Sequence, residues 1–306
     1  MIIKSFLCSS HLYSAFIGLA GLGLFSCKER ADIKAAVSQD VPMLPVTVDY
    51  RSAEGPLAYL VYRSTFAYDD DNRLLSITDK TLTESANPEP PITWAQFSYS
   101  NDVLTRIAIK SLGADLDAYD PEENAKPALF ELTYADQTLN ARLLLNGREI
   151  KKVSFALDQN GFPIKANAGL GWLSFDKKGN IDYITESQKH RVSNPTINME
   201  VVEQQHDQTK NVFTDSREMQ ILTALLTATN RRISPSGLAA LGNALETNNL
   251  IYLKWRQCTV QYGCTEFADG FSKTLTVNDS GFPTQRLCSA GAMGTFQFDI
   301  TYKQAE

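Results

Sequence analysis

The chain is short of the residues that most catalysis uses. It holds three histidines and five cysteines among 306 residues, and His11 and Cys8 fall in an N-terminal segment that reads as removable. The two remaining histidines, His190 and His206, sit in strand-like contexts without a nucleophile-elbow pattern, so no Ser–His–Asp site is expected. The cysteines and histidines do not cluster at zinc-ligand spacing. No catalytic residue, metal site or cofactor is therefore assigned. A basic excess is missing too. The net charge is −6 and the pI about 5.2, which argues against nucleic acid as a partner. Also lacking is an apolar run of ~20 residues, the length that spans a bilayer as a helix.

What apolar run there is lies at the N-terminus. Lys4 precedes Ala15–Phe25, AFIGLAGLGLF, which has the length of a signal-peptide core. The segment ends Leu24-Phe25-Ser26-Cys27. A large apolar residue three before a cysteine, with a small residue just before it, resembles a bacterial lipobox. That reading implies cleavage after Ser26 and acylation of Cys27. One acyl chain holds a protein only marginally, so stable anchoring takes two or more. Residues 1–26 are thus read as a signal peptide and 27–45 as a lipidated cysteine with a polar tether. Loss of Lys4 takes the net charge from −6 to −7. Neither Asp nor Glu directly follows Cys27, which favours the outer membrane, on its periplasmic or its cell-surface side. The membrane is then a partner through the lipid anchor.

From about Val46 the hydrophobic pattern has period two. In Thr295–Tyr302, TFQFDITY, Phe296, Phe298, Ile300 and Tyr302 fall on one face and polar residues on the other, as in a half-buried antiparallel strand. A turn motif punctuates these runs. VSFALDQNGFPIKA at Val153–Ala166 returns as LTVNDSGFPTQRLC at Leu275–Cys288. Looser copies begin near Tyr68, Tyr99, Tyr134 and Phe175. Asp or Asn opens such a turn by bonding its own backbone, and Gly supplies the positive φ. Asn146-Gly147 has the residues of a two-residue type I′ hairpin. The spacing predicts a meander with uneven loops, continuing through the Phe175–Ile184 copy as a further hairpin. One stretch breaks the pattern. Asp215–Arg232 reads as a helix capped by Asp215 with Glu218 closing a capping box, and Met219, Leu222, Leu225 and Leu226 form its stripe. Ser234-Pro235 starts a second helix, with Leu238, Leu241 and Leu245 as its stripe and Asn248-Asn249 as its stop. The fold class is mainly β: an antiparallel meander forming a strongly curved sheet or open barrel over 46–306, with a two-helix insertion at 214–247.

The signal, the LFSC lipobox, the Tyr-Asp turn hairpins and the insertion introduced by Lys210-Asn211-Val212-Phe213 together resemble Bacteroidota outer-membrane lipoproteins of unknown function. The resemblance covers most of the chain after Val46. It implies a porin-like, curved antiparallel β domain, and it brings no catalytic residue with it.

Three cysteines follow the anchor, and an exported protein permits disulfides. Cys264 pairs with Cys288 or with Cys258, or all three stay reduced. Asp115–Glu123, DLDAYDPEE, is dense in carboxylates but lacks the register of an EF-hand loop, so it reads as a solvated acidic loop. Asp69-Asp70-Asp71 reads as a hairpin turn. Tyr59, Tyr62, Trp94, Trp172, Tyr183, Tyr252 and Trp255 sit at strand spacing and read as core more than as a binding surface, so no binding-surface residue is assigned. Two function classes remain. One is a non-enzymatic envelope lipoprotein that binds or scaffolds, with an envelope protein or a glycan as partner. The other is an envelope or polysaccharide hydrolase, which needs two carboxylates converging roughly 5–10 Å apart in a cleft. The scarcity of histidine and of nucleophile motifs favours the first.

Overall fold

The computed structural model describes residues 41–52, 61–82, 90–112, 126–165, 170, 173–193, 199–229, 244–259, 263–289 and 295–305. Its strands are β1 (Met43–Ser52), β2 (Val61–Tyr68), β3 (Leu74–Thr81), β4 (Ile92–Ser100), β5 (Val103–Leu112), β6 (Lys126–Ala135), β7 (Thr138–Leu145), β8 (Arg148–Ala156), β9 (Met199–Lys210), β10 (Asn248–Thr259), β11 (Gly263–Val277), β12 (Pro283–Ser289) and β13 (Thr295–Gln304). Two helices, α1 (Tyr183–Ser193) and α2 (Arg217–Ala228), flank β9. The strands form one sheet in the order β8-β7-β6-β5-β4-β3-β2-β1-β13-β12-β11-β10-β9. The chain therefore starts mid-sheet, builds outward to β8, crosses over and returns from β9 to β13, which pairs antiparallel with β1. The sheet does not close: β8 and β9 are its edges.

The sheet must nevertheless curl, and two contacts at the start of α2 show why. The Met43 amide at the head of β1 donates to Asp215 Oδ2 at 2.9 Å. Beyond β8, Gly161 lies against the Arg217 side chain, whose Cδ is 3.1 Å from where a Cβ on Gly161 would sit. Seven strand spacings of ~4.8 Å separate β1 from β8 in a flat sheet, about 34 Å. Residues two apart in sequence cannot reach both ends of that span, so β1–β8 wrap around the start of the helix.

The concave face supplies the core. Val48, Phe66, Ile77, Phe97, Ile107, Phe130, Leu143 and Phe155 share one cluster with Phe213, Ile221, Leu222 and Leu225. The Phe66 and Phe213 rings are 5.8 Å apart. Because α2 lies inside the curl, it is covered on more than one stripe: Glu218, Gln220, Ile221 and Ala224 are buried beside Met219, Leu222 and Leu225, while Leu226 is only half-buried. The expected narrow stripe is corrected accordingly. The expected cap is corrected as well. Ser216 holds the N-cap position with no side-chain cap bond, because the Asp215 carboxylate is taken by β1. The second helix, read from Ser234 with Leu245 in its stripe, falls mostly outside the described residues; its last part is described, and there Ala244 and Leu245 form a turn rather than a helix and are buried. Asn248-Asn249 is not a helix stop but the first two residues of β10.

The turn repeat has a common geometry. Asp69, Asp158, Asp176 and Asn278 each receive, on one side-chain oxygen, the amides two and four residues ahead. Each backbone carbonyl takes the amide three ahead. That third following position has positive φ and is Asn72, Gly161, Gly179 or Gly281. The copies at Tyr99 and Tyr134 are a different turn, a two-residue one with positive φ at Asn101-Asp102 and at Asp136-Gln137, like that at Asn146-Gly147.

The Phe175 copy departs from expectation. Phe175 and Ile181 form a single bridge, and then α1 begins rather than a strand. Asp182 caps it, accepting from Thr185 N at 3.0 Å. His190 thus lies on a helix, not in a strand. α1 covers the β9 edge: the Val201 amide donates to Ser187 Oγ at 2.9 Å, which satisfies a backbone group that a further strand would otherwise take, and the Gln204 side chain donates through Nε2 to Ile181 O at 3.0 Å. β1 begins at Met43, three residues before the start read from the sequence. No helix among the described residues is long and apolar enough to cross a membrane.

Candidate functional site

Buried polar chemistry gathers in three places. The first is the seam between the two sheet edges. Glu246, fully buried just before β10, faces His206 of β9, with Oε1 3.2 Å from Nε2. Around the same carboxylate lie Lys165, from the turn after β8, and Tyr183, at the start of α1. Burial pulls the Lys165 ammonium down to about 8, and the Glu246 charge offsets part of that fall. Burial pushes the Tyr183 phenol well above its ordinary value, and Glu246 adds to the rise. The Asp176 turn completes the seam. Asn180 Oδ1 accepts the amides of Thr247 and Asn248 at 3.1 and 2.8 Å, and Thr247 Oγ1 donates to Gly179 O.

The second cluster closes one end of the curl. The aromatic residue before three turns, Tyr68, Tyr99 and Tyr134, faces the start of α2. Burial, then the Glu218 charge, raises the Tyr68 and Tyr99 phenols far out of the titrating range. Glu218 is 4% exposed and pairs with Arg217 at 2.8 Å. A carboxylate in a first helical turn also meets the positive end of the helix dipole.

The third cluster ties β9 to β12. Asp207 accepts from Thr209 and Thr274 hydroxyls at 2.6 and 2.8 Å and from the Asn249 amide at 3.2 Å. Asn249 Nδ2 donates to Thr209 Oγ1 and Lys210 O. Arg286, 1% exposed, donates to Asn249 Oδ1 at 3.1 Å, Ser272 Oγ at 2.6 Å and Leu250 O. The cost of burying these side chains is offset because each is hydrogen-bonded within the network. The network locks β9–β12 in register.

Of the residues singled out in the sequence, the structure brings His206 and Tyr183 into one cluster, with Lys165 at the end of the first quoted turn repeat and Glu246, and only the fold joins them. Both deeply buried glutamates face a base, Glu218 with Arg217 and Glu246 with His206, rather than each other. The cysteine bridge joins Cys258 to Cys264, which are paired in register across the β10–β11 hairpin. Cys288 is buried, and burial raises its thiol. Trp94 is core at 4% exposure. Tyr62 is half-buried and stacks on Tyr50 at 5.1 Å, and Tyr252 is half-buried. Asp69 lies in a hairpin turn and pairs with Arg73 at 2.6 Å. Cys27, Tyr59, Asp115–Glu123, Trp172 and the side chains of His190 and Trp255 lie outside what is described. Among the described residues no group of His, Cys, Asp and Glu is arranged to hold a metal.

The convex face is charged. Arg63 forks onto Asp49, Arg51 meets Asp299 at 3.0 Å, Arg142 pairs with Glu131, and Glu266 takes Lys254 and Arg256. A sheet that faced lipid on this side would bury these ions in hydrocarbon, at about 2–4 kcal/mol for each Arg or Lys near the bilayer midplane. Apolar inside and charged outside is the pattern of a water-exposed domain.

No family model matches the chain, and no curated protein matches it. Among solved structures it is similar to a porin-like protein from Bacteroides uniformis ATCC 8492, at 9% identity and a TM-score of 0.30, over 85% of this chain and 98% of that one. It is also similar to a porin-like protein from Bacteroides vulgatus ATCC 8482, at 12% identity and a TM-score of 0.32, over 85% and 99%. Likeness of this degree says nothing about the activity of this chain.

Proposed function

We propose that the chain is an outer-membrane lipoprotein, held by an acylated Cys27, whose curved β domain stands in water and binds or scaffolds an envelope component without turning it over. The observation that supports this reading is the charged convex face set against an apolar concave face filled by α2. An outer face laced with ion pairs is poorly suited to lipid, so membrane attachment falls to the Leu24–Cys27 lipobox and the polar tether behind it. The sheet offers broad outer surfaces anchored by cross-strand ion pairs, and a tether raises their effective concentration for an envelope partner. The hydrolase reading would need two carboxylates in one open cleft. The two glutamates buried deepest lie apart, Glu218 beside Arg217 and Glu246 beside His206.

The test is to incubate the full chain, extracted in detergent, with fractionated envelope material, then follow retention and product release on the same samples. Retention of a component with no new product supports binding. Product release that survives purification and disappears on replacing one Asp or Glu overturns it.

A further inference from the structure

One part of the convex face departs from the flat ion-pair lattice. Over β5–β8 the sheet forms a concavity of about 560 Å³, within the range of small-ligand sites. Its floor is two cross-strand rows. Register places Thr133 opposite Asn140 and Asn140 opposite Ser154, three short polar side chains at ~4.8 Å intervals. The next row along is Arg106, Glu131, Arg142 and Lys152, again in register.

The two rows differ in how their groups are used. No protein group among the described residues engages the Asn140 carboxamide or the Ser154 hydroxyl. In the charged row Arg142 is committed, bridging Glu131 and, at 3.7 Å, Glu149. Arg106 and Lys152 are loosely held, at 4.0 Å from Glu131 and 3.5 Å from Glu149, with 61% and 71% of their side chains exposed. Exposed pairs of that kind contribute little and exchange readily. Of the apolar lining residues, Leu132 and Ala141 are turned into the core, at 4% and 2% exposure, and Val153 is half-buried against it, so the polar rows carry the groups that would select a ligand. Neutral donors and acceptors in a row suit vicinal hydroxyls, and two available cations beside them suit an acid group. The chain as a whole carries −6, so this is not general basicity.

We propose that this concavity binds a saccharide bearing acid groups, with hydroxyls on the Thr133–Asn140–Ser154 row and the acid group on Arg106 and Lys152. The assignment rests on the binding reading and names its ligand class. The probe is oligogalacturonate, compared with its methyl ester and with a neutral galactan oligomer, titrated calorimetrically into the full chain at low and moderate salt. The acid form binds more tightly than the ester or the neutral oligomer, and its affinity falls with salt. The pair R106Q/K152Q lowers that affinity about tenfold or more, to the level of the ester, and flattens the salt dependence. N140A weakens all forms without changing the salt dependence. R51Q and K254Q, on the same face but outside the concavity, leave every affinity unchanged. Melting curves confirm that each variant is folded. Absence of oligogalacturonate binding overturns the site, as does an undiminished affinity in R106Q/K152Q or an equal loss in R51Q or K254Q. If the envelope incubation retains a component while oligogalacturonate does not bind, the site fails and the wider binding reading stands.

Discussion

Replacing glycine by alanine at equivalent places in the repeated turn costs different amounts, because the turns have different neighbours. Gly281 and Gly179 share a backbone, each with φ +82, but a Cβ on Gly281 would meet nothing within 4 Å whereas one on Gly179 would sit 2.7 Å from Thr247 Oγ1. At Gly281 the cost is the left-handed backbone alone, about 1 kcal/mol for alanine. At Gly179 the same strain is joined by displacement of Thr247, whose hydroxyl donates to Gly179 O at 3.2 Å. Losing that bond adds about 1 kcal/mol, and residual overlap takes the total to about 2–3 kcal/mol. Gly161 falls between, since its neighbour is a flexible Arg217 side chain at 3.1 Å. The assay is urea denaturation of the purified chain, with unchanged m-values required for the comparison. Thr247→Ala removes the obstructing oxygen, so the double variant G179A/T247A is less destabilised than the two single changes sum to, by about 1 kcal/mol. Equal losses at 179 and 281, or simple additivity in the double variant, would refute the reasoning. Asparagine is the internal control. Asn72 occupies the same turn position with φ 60, so Gly281→Asn costs only a few tenths of a kcal/mol.

Stability rises with pH across the alkaline range and then turns down. Lys165 releases its proton near pH 8 when folded and near 10.5 when unfolded, so between these values the unfolded chain binds more protons and stability climbs by ~2 kcal/mol; above pH 10 the raised phenols of Tyr68, Tyr99 and Tyr302 reverse the slope. Melts across pH 7–11 check this, and Lys165→Met abolishes the rising limb. Reducing the Cys258–Cys264 bridge, which spans a sequence separation of 6, costs about 2 kcal/mol by loop-closure entropy, read as a drop in melting temperature with dithiothreitol that C258S/C264S does not show. Glu246→Ala strands His206 and Lys165 in the seam and costs about 3 kcal/mol, measured by denaturant, with Glu246→Gln recovering part of the loss.

The strands, the turns and the first inserted helix were legible because their signals are local. An Asp or Asn side chain fixes its own turn through the amides two and four residues on, whatever lies beyond, so LDQNGF and VNDSGF announce the same hairpin. That locality is also why α1 was not legible. The Phe175–Ile181 turn is genuine, but a turn does not specify the element that follows it, and the cap at Asp182 is as short a signal as any. Asp215 was misread for a related reason. A carboxylate before a helix is an N-cap by propensity, yet here a strand far away in sequence offers it the Met43 amide, and Ser216 takes the cap position. The clusters were not legible at all. Glu246 finds His206, Lys165 and Tyr183 because the meander turns back at β8 and the seam is packed from both sides. The concavity over β5–β8 exists because Thr133, Asn140 and Ser154 share a register row, which depends on hairpin lengths that a pattern of alternating residues leaves open.

A sheet held in water by a lipid tether and a sheet held in lipid by itself differ in what detergent does to them. Partition of the wild-type chain and of a chain begun at Lys28, which lacks both the signal segment and the acylated cysteine, between detergent-rich and aqueous phases separates the two, with circular dichroism to confirm the β fold and intact mass to locate the mature N-terminus. The wild type enters the detergent phase as a chain that starts at Cys27 and carries acyl mass, and the chain begun at Lys28 stays in the aqueous phase with its β spectrum intact. A folded chain begun at Lys28 that enters the detergent phase would place the convex face in lipid and contradict the reading.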